Sequence, residues 1–513
     1  MHAVVSSSRR TPETFSPGSP ERRRLPVVAR ALPLLAVPLI VERIALLMRR
    51  TPTASDETLY LTQTYDWLGR LTKVSFDPHR TRGVPALLYP FVAVTHGTWA
   101  YRTVWAVMSL ALCAVTYLIG RDLLGRVPAA FAAVMLGLSS VTLLASIRLL
   151  PDMPAALSIA LAFLFYWRRV VRVPAGEPLR GLWPIALFVA AAFFFNMAFA
   201  AVAGLALGLD FLIFRRRDVL SRAAIGAAAT LAAVLGPYFA KVWIDHGTPL
   251  YTIGRGLGLG GSGAPQEKGY ATYARWFLNG DRLFGPFWGA LVLVGAASLI
   301  AALMSGRPVP RRQAATLTVW LVVPTVMTAV LFHAEGRYLL PWLPAFFLTL
   351  ALPVRVALRA ASTRRWATVC IAVLLIGGTA QFGVAGYAPA MKRIGRQNAI
   401  FGFIHAVAAR TADDGARLRC QIFTRWPREF EFHTGCKTLR YNGVTADGLL
   451  RKARESAVPT YFVWWHGLTR DPAYQPPYLP EFYRRHAAPL FTMRGGGELG
   501  PVYVYRYVGR ISR

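Results

Sequence analysis

Two adjacent acids, Asp56 and Glu57, stand in the stretch "TPTASDETLY", just beyond the first apolar segment of the chain. Acids are scarce here, because 58 Lys and Arg residues face only 25 Asp and Glu residues, for a formal net charge of +33. A carboxylate held at a membrane surface can take a proton from an acceptor hydroxyl. An acid at a helix start can equally cap that helix, so Ser55 and Asp56 also have a purely structural interpretation.

Basic and further acidic side chains occur in three other segments that the hydropathy pattern assigns to the same side of a membrane. They are Arg80 and Arg82 after the acidic pair, Arg148 and Asp152 in "RLLPDMP", and His333, Glu335 and Arg337 in "HAEGRYLLP". Tyr60, one turn after Asp56, is a further candidate for binding the substrate. Polar groups that converge near a membrane are costly, and they therefore indicate function. Asp152 could instead cap a helix, and the His333 turn could be an ion-paired surface loop.

This mixture suits transfer of a sugar from a lipid-linked phosphate. A phosphate monoester departs without a proton, so such an enzyme needs a carboxylate base for the acceptor and cationic donors for the phosphate. The acids could also ligate a divalent cation, although no spacing in the sequence requires a cofactor. Zinc-type Cys/His spacing does not occur in the sequence.

Membrane helices must position these residues. The chain is 54% hydrophobic, and apolar blocks long enough to cross a bilayer recur from Val27 to Tyr387. Arginine clusters fall at every second connection, as expected of cytoplasmic loops, which predicts about 11 transmembrane helices with the N-terminus inside. This placement explains the basic composition without nucleic acid as a partner.

We expect three parts. Residues 1–26, rich in Ser, Pro and Arg, predict a disordered cytoplasmic start, and residues 27–387 form the transmembrane domain, with long outside loops at 49–99 and 244–283. Residues 388–513 contain strand-like runs such as "TYFVWWH" and predict a small α/β domain. An odd number of spans places this tail outside, on the side of Asp56.

The tail also holds two of the four cysteines, Cys420 and Cys436. On an extracytoplasmic face they could form a disulfide, but two cysteines could equally remain unpaired. The sequence leaves both states open.

Three motifs carry a resemblance to a known family. With "DETLY" after the first span, "RLLPDMP" before the fourth and "HAEGRYLLPWLP" before the tenth, the chain resembles the GT-C glycosyltransferases. The likeness is greatest to the branch with the protein O-mannosyltransferases and the lipid A aminoarabinose transferase. It implies a polytopic α-helical GT-C fold with an extracytoplasmic α/β tail, in a bacterial inner (plasma) membrane.

The resemblance also implies a reaction. A sugar, mannose or a pentose, would pass with inversion from a polyprenyl-phosphate donor to a hydroxyl of a glycan, lipid or protein acceptor. Asp56 would be the catalytic base, with Glu57 beside it, and the donor phosphate would meet arginines. These are Arg80 or Arg82, Arg148 and Arg337.

Two other functional classes fit a polytopic chain. A lipid or solute transporter or flippase would carry polar or Gly/Pro-broken helices near mid-bilayer, and often repeated halves. The sequence shows no internal repeat, and its polar residues gather at one face. A non-catalytic assembly or sensor protein would leave the acids of the first outside loop unexplained.

Overall fold

The computed structural model describes most of the chain. It covers residues 36–49, 51–53, 55–69, 82–95, 97–174, 176–252, 271, 288–305, 308–331, 335–361, 365–413, 420–441, 444–466, 478–494 and 499–509. The predicted disordered start, Arg80, His333 and most of the loop 244–283 therefore lie outside the described residues.

Helices make up the first part of the described chain. They are α1 (Ala36–Leu47), α2 (Ser55–Trp67), α3 (Gly83–Val94), α4 (Thr98–Leu124), α5 (Arg126–Leu138), α6 (Ser140–Ala145), α7 (Asp152–Tyr166), α8 (Trp183–Phe195), α9 (Met197–Arg215) and α10 (Arg222–His246). A π-helical turn, Trp167–Val171, extends α7, and a 3-10 turn, Arg216–Asp218, extends α9.

The helical series continues toward the tail. It comprises α11 (Trp288–Leu303), α12 (Pro308–Leu331), a 3-10 turn (Gly336–Leu339), α13 (Leu343–Leu350), α14 (Leu352–Ala361) and α15 (Arg365–Asp413). The last helix runs without a break through residue 387, where the sequence placed the end of the transmembrane part. One helix therefore joins the apolar segment to the tail.

Five of the described helices are long and apolar enough to cross a membrane. They are α4, α7 with its π turn, α9 with its 3-10 turn, α10 and α12. Shorter apolar helices, α3, α5, α8 and α13 among them, accompany these five. The count of about 11 spans remains a prediction from the arginine pattern.

Helix breaks follow local capping. The apolar block at residues 182–214 is too long for one span and predicts two helices that meet near Asn196. The structure confirms this, because Asn196 is extended (φ −150°) and its side chain accepts from the Phe199 N–H at 3.3 Å. The unbroken apolar run at residues 127–146 predicts one span, and in the structure the helix of this segment is interrupted at Ser139. Ser139 is extended there and accepts from the Thr142 N–H at 3.3 Å, so α5 ends and α6 begins.

One continuous apolar core holds the membrane helices together. α4 packs against α5 and α7, and α7 packs against α8. Buried Trp105 and Trp320 are among its largest members. Small residues permit close approach, because a Cβ on Gly120 would meet Leu348 Cδ2 at 2.7 Å.

The tail contains a mixed sheet of five strands. The strands are β1 (Gln421–Phe423), β2 (Lys437–Leu439), β3 (Thr460–Trp465), β4 (Ala487–Met493) and β5 (Val502–Tyr507), with helices α16 (Pro427–Thr434), α17 (Ala446–Arg454) and α18 (Leu479–His486) between them. The order is β2-β1-β3-β5-β4, in which β1 is parallel to β2 and β3, and β5 is antiparallel to β3 and β4.

Both faces of this sheet are covered. Ile422 and Val463 pack on one face against Ile404 of α15 and Phe430 of α16. The other face packs against α17 and α18. The end of α15 is therefore part of the tail's core, which fixes the sheet to the helix that leads out of the apolar segment.

Candidate active site

The acidic pair lies in the first turn of α2, where a helix N-terminus favours negative charge. Its two side chains have different partners. Asp56 faces two arginines from distant parts of the chain, whereas Glu57 is buried against the turn before α7. The two acids therefore have different surroundings despite their adjacency.

Asp56 is held by one arginine on each carboxylate oxygen. Arg337 Nη1 lies 3.3 Å from Oδ2, and Arg428 Nη1 donates to Oδ1 at 2.5 Å. Arg337 comes from the 3-10 turn after α12 and Arg428 from α16 in the tail. The Asp56 side chain remains 22% exposed. We call Asp56, Arg337 and Arg428 the site cluster.

Arg337 is surrounded by acidic groups. Its Nε contacts Glu335, and its guanidinium lies 5.2 Å from the ring centre of Tyr338. Burial lowers the pKa of Arg337, but the neighbouring acids, Asp152 first among them, outweigh burial and raise the pKa above its ordinary value. Arg337 is therefore a permanent cation that these carboxylates share.

Asp152 lies at the start of α7 with its side chain turned toward the same place. The residue is 2% exposed, and within the described residues its Oδ2 has no hydrogen-bond partner. Its electrostatic neighbours are Arg337, Glu335 and Asp56. A buried carboxylate oxygen without a donor is costly unless a ligand or water satisfies it, which marks this side of Arg337 as a polar site.

Glu57 fastens α2 to the turn before α7. Its Oε1 accepts from the Leu149 N–H at 2.9 Å and lies 3.4 Å from Arg102 Nη2. Arg102 also donates to the Pro52 carbonyl at 3.1 Å and to Thr51. The segment that leads into α2 and the turn with Arg148 are thereby held in fixed positions.

A small cavity lies beside Glu57. Its volume is about 20 Å³, enough for about one water molecule, and its polar lining includes Glu57, Arg148 and Gln397. Arg148 donates to the Gln397 side chain of α15. The structure therefore places Arg148 at the α15 side of the acidic pair, next to Glu57.

The tail reaches the membrane part through α16. Besides Arg428, the ring of Phe432 lies 5.7 Å from that of Tyr65 in α2. His433 Nε2 lies 2.7 Å from His405 Nδ1, and His405 Nε2 lies 2.8 Å from the Thr53 carbonyl. Three separate contacts thus dock α16 beside the acidic pair.

The two histidines are neutral partners in this arrangement. A carbonyl only accepts, so His405 donates to Thr53 through Nε2, and its Nδ1 accepts from His433. Burial lowers the pKa of both imidazoles, and nearby His405 lowers that of His433 further, to about 4. The pair therefore has a structural role, because it joins α16 to α15 and to the segment before α2.

A disulfide joins Cys420 and Cys436, which the sequence left open. Cys420 precedes β1 and Cys436 precedes β2, and the intervening segment contains all of α16. Both cysteines are buried in the tail's core. The helix that bears Arg428 is therefore closed into a short covalent loop.

Of the remaining residues singled out from the sequence, the structure describes Tyr60 and Arg82. Tyr60 is buried in the apolar core. Arg82 is exposed at the start of α3. Arg80 and His333 lie outside the described residues.

Sequence reasoning missed Arg428, and only a weak signal pointed to it. The residue lies in "RCQIFTRWPREFEFHTGC", which drew attention for its cysteines and not for its bases. Arg102 was also missed, because an arginine just inside an apolar block looks like a membrane-boundary residue. Both contacts join residues far apart in the chain, and local patterns do not encode them.

Among the residues that the structure describes, no group of three or more His, Cys, Asp or Glu side chains is arranged to hold a metal ion. Arg337 supplies the positive charge between Asp56, Asp152 and Glu335. The divalent cation considered from the sequence stays a hypothesis. A reachable carboxylate flanked by two guanidinium groups can exchange a proton and hold an anion nearby.

Comparisons with known proteins identify the fold. No protein-family model matches the chain, and no curated protein matches it in sequence. Among solved structures, ArnT from Cupriavidus metallidurans in the apo state superposes with a TM-score of 0.65 at 14% identity, over 94% of this chain and 98% of that one. The same protein bound to undecaprenyl phosphate gives 0.64 at 13% identity, over the same shares, 94% and 98%.

Two further solved structures are similar over most of this chain. The Archaeoglobus fulgidus oligosaccharyltransferase tethered to an acceptor peptide has a TM-score of 0.57 at 11% identity, over 89% of this chain and 72% of that one. The arabinofuranosyltransferase AftD from Mycobacteria has a TM-score of 0.52 at 16% identity, over 94% and 40%. These proteins are GT-C glycosyltransferases. The chain thus has the fold of the GT-C glycosyltransferases, and five of its described helices are long and apolar enough to cross a membrane.

Proposed function

We propose that this protein transfers a glycosyl residue from a polyprenyl-phosphate donor to an acceptor hydroxyl, with Asp56 as the base. The observation that carries the proposal is the site cluster, in which a reachable carboxylate at a helix start meets arginines from two other parts of the chain. The GT-C fold supports the same reaction class.

The chemistry is a single displacement. The acceptor oxygen forms a bond to the anomeric carbon as the bond from that carbon to the phosphate oxygen breaks, which inverts the anomeric centre. The acceptor's proton passes to Asp56, and the electron pair of the broken bond leaves with the polyprenyl phosphate. No proton needs to reach the leaving group, so one carboxylate base is sufficient.

Cationic side chains stabilise the departing phosphate. Arg337 lies beside Asp56 and remains charged, so it can hold the phosphate oxygens as negative charge grows on them. Arg148, and Arg80 or Arg82, are further candidates for the lipid phosphate. Asp152, Glu335 and the predicted His333 would orient Arg337 and the sugar.

Known structures of this fold support the donor class. ArnT binds undecaprenyl phosphate, and AglB from Archaeoglobus fulgidus is known in complex with an inhibitory peptide and a dolichol-phosphate. For the protein described here we propose mannose or a pentose as the sugar, and a glycan, lipid or protein hydroxyl as the acceptor. The oligosaccharyltransferase with this fold is known with an acceptor peptide. AftD, which has the same fold, is an arabinofuranosyltransferase.

We further propose that the reaction takes place on the extracytoplasmic face of a bacterial inner membrane. The contact between Asp56 and Arg428 supports a common side for α2 and the tail. The bonded cysteines, Cys420 and Cys436, support an oxidising compartment for that side.

Donor turnover tests the proposal. The purified protein would be supplied with radiolabelled polyprenyl-phosphate mannose and polyprenyl-phosphate arabinose, and release of polyprenyl phosphate would be measured with and without acceptor lipids and glycans. We expect turnover of at least one donor. A protein that neither binds nor consumes any polyprenyl-phosphate sugar, yet moves lipid between leaflets of a vesicle, would instead be the flippase of the alternative interpretation.

A further inference from the structure

Arg428 brings a positive charge from the tail to the acid that we propose as the base. The two residues are 372 positions apart in the chain. The Arg428 side chain is 18% exposed, so a ligand can reach its guanidinium. Its helix, α16, lies on α2 and α15 through the contacts of Phe432 and His433.

The guanidinium of Arg428 is less neutralised than that of Arg337. A guanidinium has five N–H donors, and within the described part of the chain Arg428 uses only Nη1, on Oδ1 of Asp56. Arg337, in contrast, also contacts Glu335 and faces Asp152. Unused donors in a planar fork suit the oxygens of a phosphate.

We propose that Arg428 binds the phosphate of the lipid donor and that, in doing so, it exchanges its ion pair with Asp56 for one with the phosphate. The inference rests on the proposed glycosyl transfer and adds to it a phosphate-binding residue supplied by the tail. No covalent bond changes in this step, because one ion pair is exchanged for another.

The exchange connects donor binding to the state of the base. Both oxygens of Asp56 are engaged by arginines in this structure. Ion pairs favour the charged form of a carboxylate and so make it a weak proton acceptor. When the phosphate takes Arg428 away, Asp56 loses one of these two ion pairs. Its carboxylate then accepts a proton more readily, so the base becomes more effective once the donor is in place.

The Cys420–Cys436 disulfide positions the arginine. It closes the loop that contains α16, and Phe430 of that helix packs beside the bonded cysteines in the tail's core. Reduction would break the covalent link between Cys436, after α16, and Cys420, before β1. The position of α16 would then be less restricted. Donor binding should therefore depend on the disulfide, and it should do so through Arg428.

Lipid binding to the purified full-length protein in detergent tests the inference. The probes are undecaprenyl phosphate and undecaprenol, which lacks the phosphate. We expect Arg428→Gln to weaken binding of undecaprenyl phosphate about tenfold, as loss of a charge-assisted hydrogen bond does, and to leave undecaprenol binding unchanged. Arg451→Gln is the matched control, since Arg451 lies on the exposed surface of the tail near Glu455.

A conservative variant keeps the test valid if Arg428→Gln does not fold. Arg428→Lys retains the charge without the fork, and it should recover part of the affinity. Equal affinity of the wild type and of the folded Arg428 variants would overturn the inference and leave the proposed function standing. A wild type without any phosphate-dependent binding would instead overturn the proposed function.

Reduction of the disulfide tests whether it acts by positioning Arg428 or by stabilising the tail as a whole. A reducing agent should weaken undecaprenyl phosphate binding to the wild type and have little further effect on Arg428→Gln, because both act on the same contact. The Cys420→Ser, Cys436→Ser double variant should behave like the reduced wild type. If reduction lowered the affinity of Arg428→Gln for undecaprenyl phosphate by the same factor as that of the wild type, the disulfide would not act through Arg428.

Discussion

Two aspartate–arginine clusters in this protein have opposite constructions. In the core cluster, Asp210 of α9 accepts from Arg312 of α12 through both oxygens, at 2.9 and 2.8 Å. The hydroxyl of Thr316 donates to Oδ1 at 2.9 Å, and that of Tyr166 donates to Oδ2. The Asp210 side chain is 3% exposed. Each carboxylate oxygen of this acid therefore has two donors, supplied by packed membrane helices.

The site cluster is more exposed, because the Asp56 side chain is 22% accessible to solvent. Its two arginines come from a 3-10 turn and from a tail helix. A carboxylate held by a bidentate arginine and two hydroxyls cannot easily exchange partners. A carboxylate whose arginines come from separate elements can exchange partners more easily. Because it is also more exposed, a ligand can compete for those arginines. The contrast indicates that bonding geometry and solvent exposure distinguish an ion pair that joins helices from one that can react.

The core cluster also corrects the sequence argument that polar residues gather at one face. Asp210 and Arg312 belong to two of the helices of span length. Their pairing with Tyr166 and Thr316 satisfies them internally, so the cluster gives no support to a transport path. It joins α7, α9 and α12 instead.

The largest expected effect follows from removing the charge of Asp56. Asp56→Asn should lower glycosyl transfer by about 10²–10⁴-fold, as loss of a general base does, and should retain undecaprenyl phosphate binding. Single-turnover transfer and lipid binding on the same preparation measure both. If this variant transferred the glycosyl residue at the wild-type rate, Asp56 would not be the base. The site cluster would then be a structural ion pair like the core cluster.

Arg337→Gln should have the next largest effect and lower kcat/KM by about 10²-fold. The substitution removes a cation beside the proposed phosphate position, and the carboxylates of Asp152 and Glu335 lose the cation that they share. Steady-state kinetics with the donor lipid measure it. The matched control is Arg168→Gln, whose arginine pairs with Asp122 at 3.1 Å in an exposed setting. Equal kinetics for both variants would contradict a special role for Arg337.

Asp210→Asn should act on stability rather than on turnover. Breaking a buried ion pair from one side costs about 3–5 kcal/mol, and the cost here should lie toward the lower end, because Arg312 is 17% exposed and would keep partial contact with solvent when it loses its counter-charge. The unfolding temperature in detergent should fall, while turnover per folded molecule stays within about twofold. A large loss of turnover in the folded fraction would show that the core cluster participates in the chemistry.

Acidification should produce the smallest effect. The pKa of His433 in the fold is about 4, below its ordinary 6.5, so the docked tail favours the neutral imidazole. Its stabilisation is complete above pH 6.5 and is lost as pH falls toward 4, because two protonated rings leave no acceptor between His433 and His405. Unfolding temperature between pH 7 and 5 measures this, and His433→Gln should flatten the dependence. An unchanged pH dependence would exclude this histidine pair as its source.

Much of the helical framework could be predicted from the sequence, because apolar length and capping act locally. The break at Asn196 depends on one side chain and its own helix, and it was predicted correctly. The break at Ser139 was missed, since an apolar run hides a serine cap whose hydroxyl bonds only within three residues. Strand-like runs in the tail coincide with β1, β3 and β5. Their order in the sheet depends on pairing across the tail, which no local pattern contains.

The sequence by itself determined which acids and bases stand at the ends of apolar segments, and so it selected Asp56, Asp152 and Arg337. Tertiary structure decided which of them meet. Arg337 approaches Asp56 across 281 residues and Arg428 across 372. Glu57, adjacent to Asp56 in the chain, is turned away into a structural contact, because successive residues of a helix face different directions. Residue type and spacing set the available chemistry, whereas packing and the disulfide set the partners of each charge.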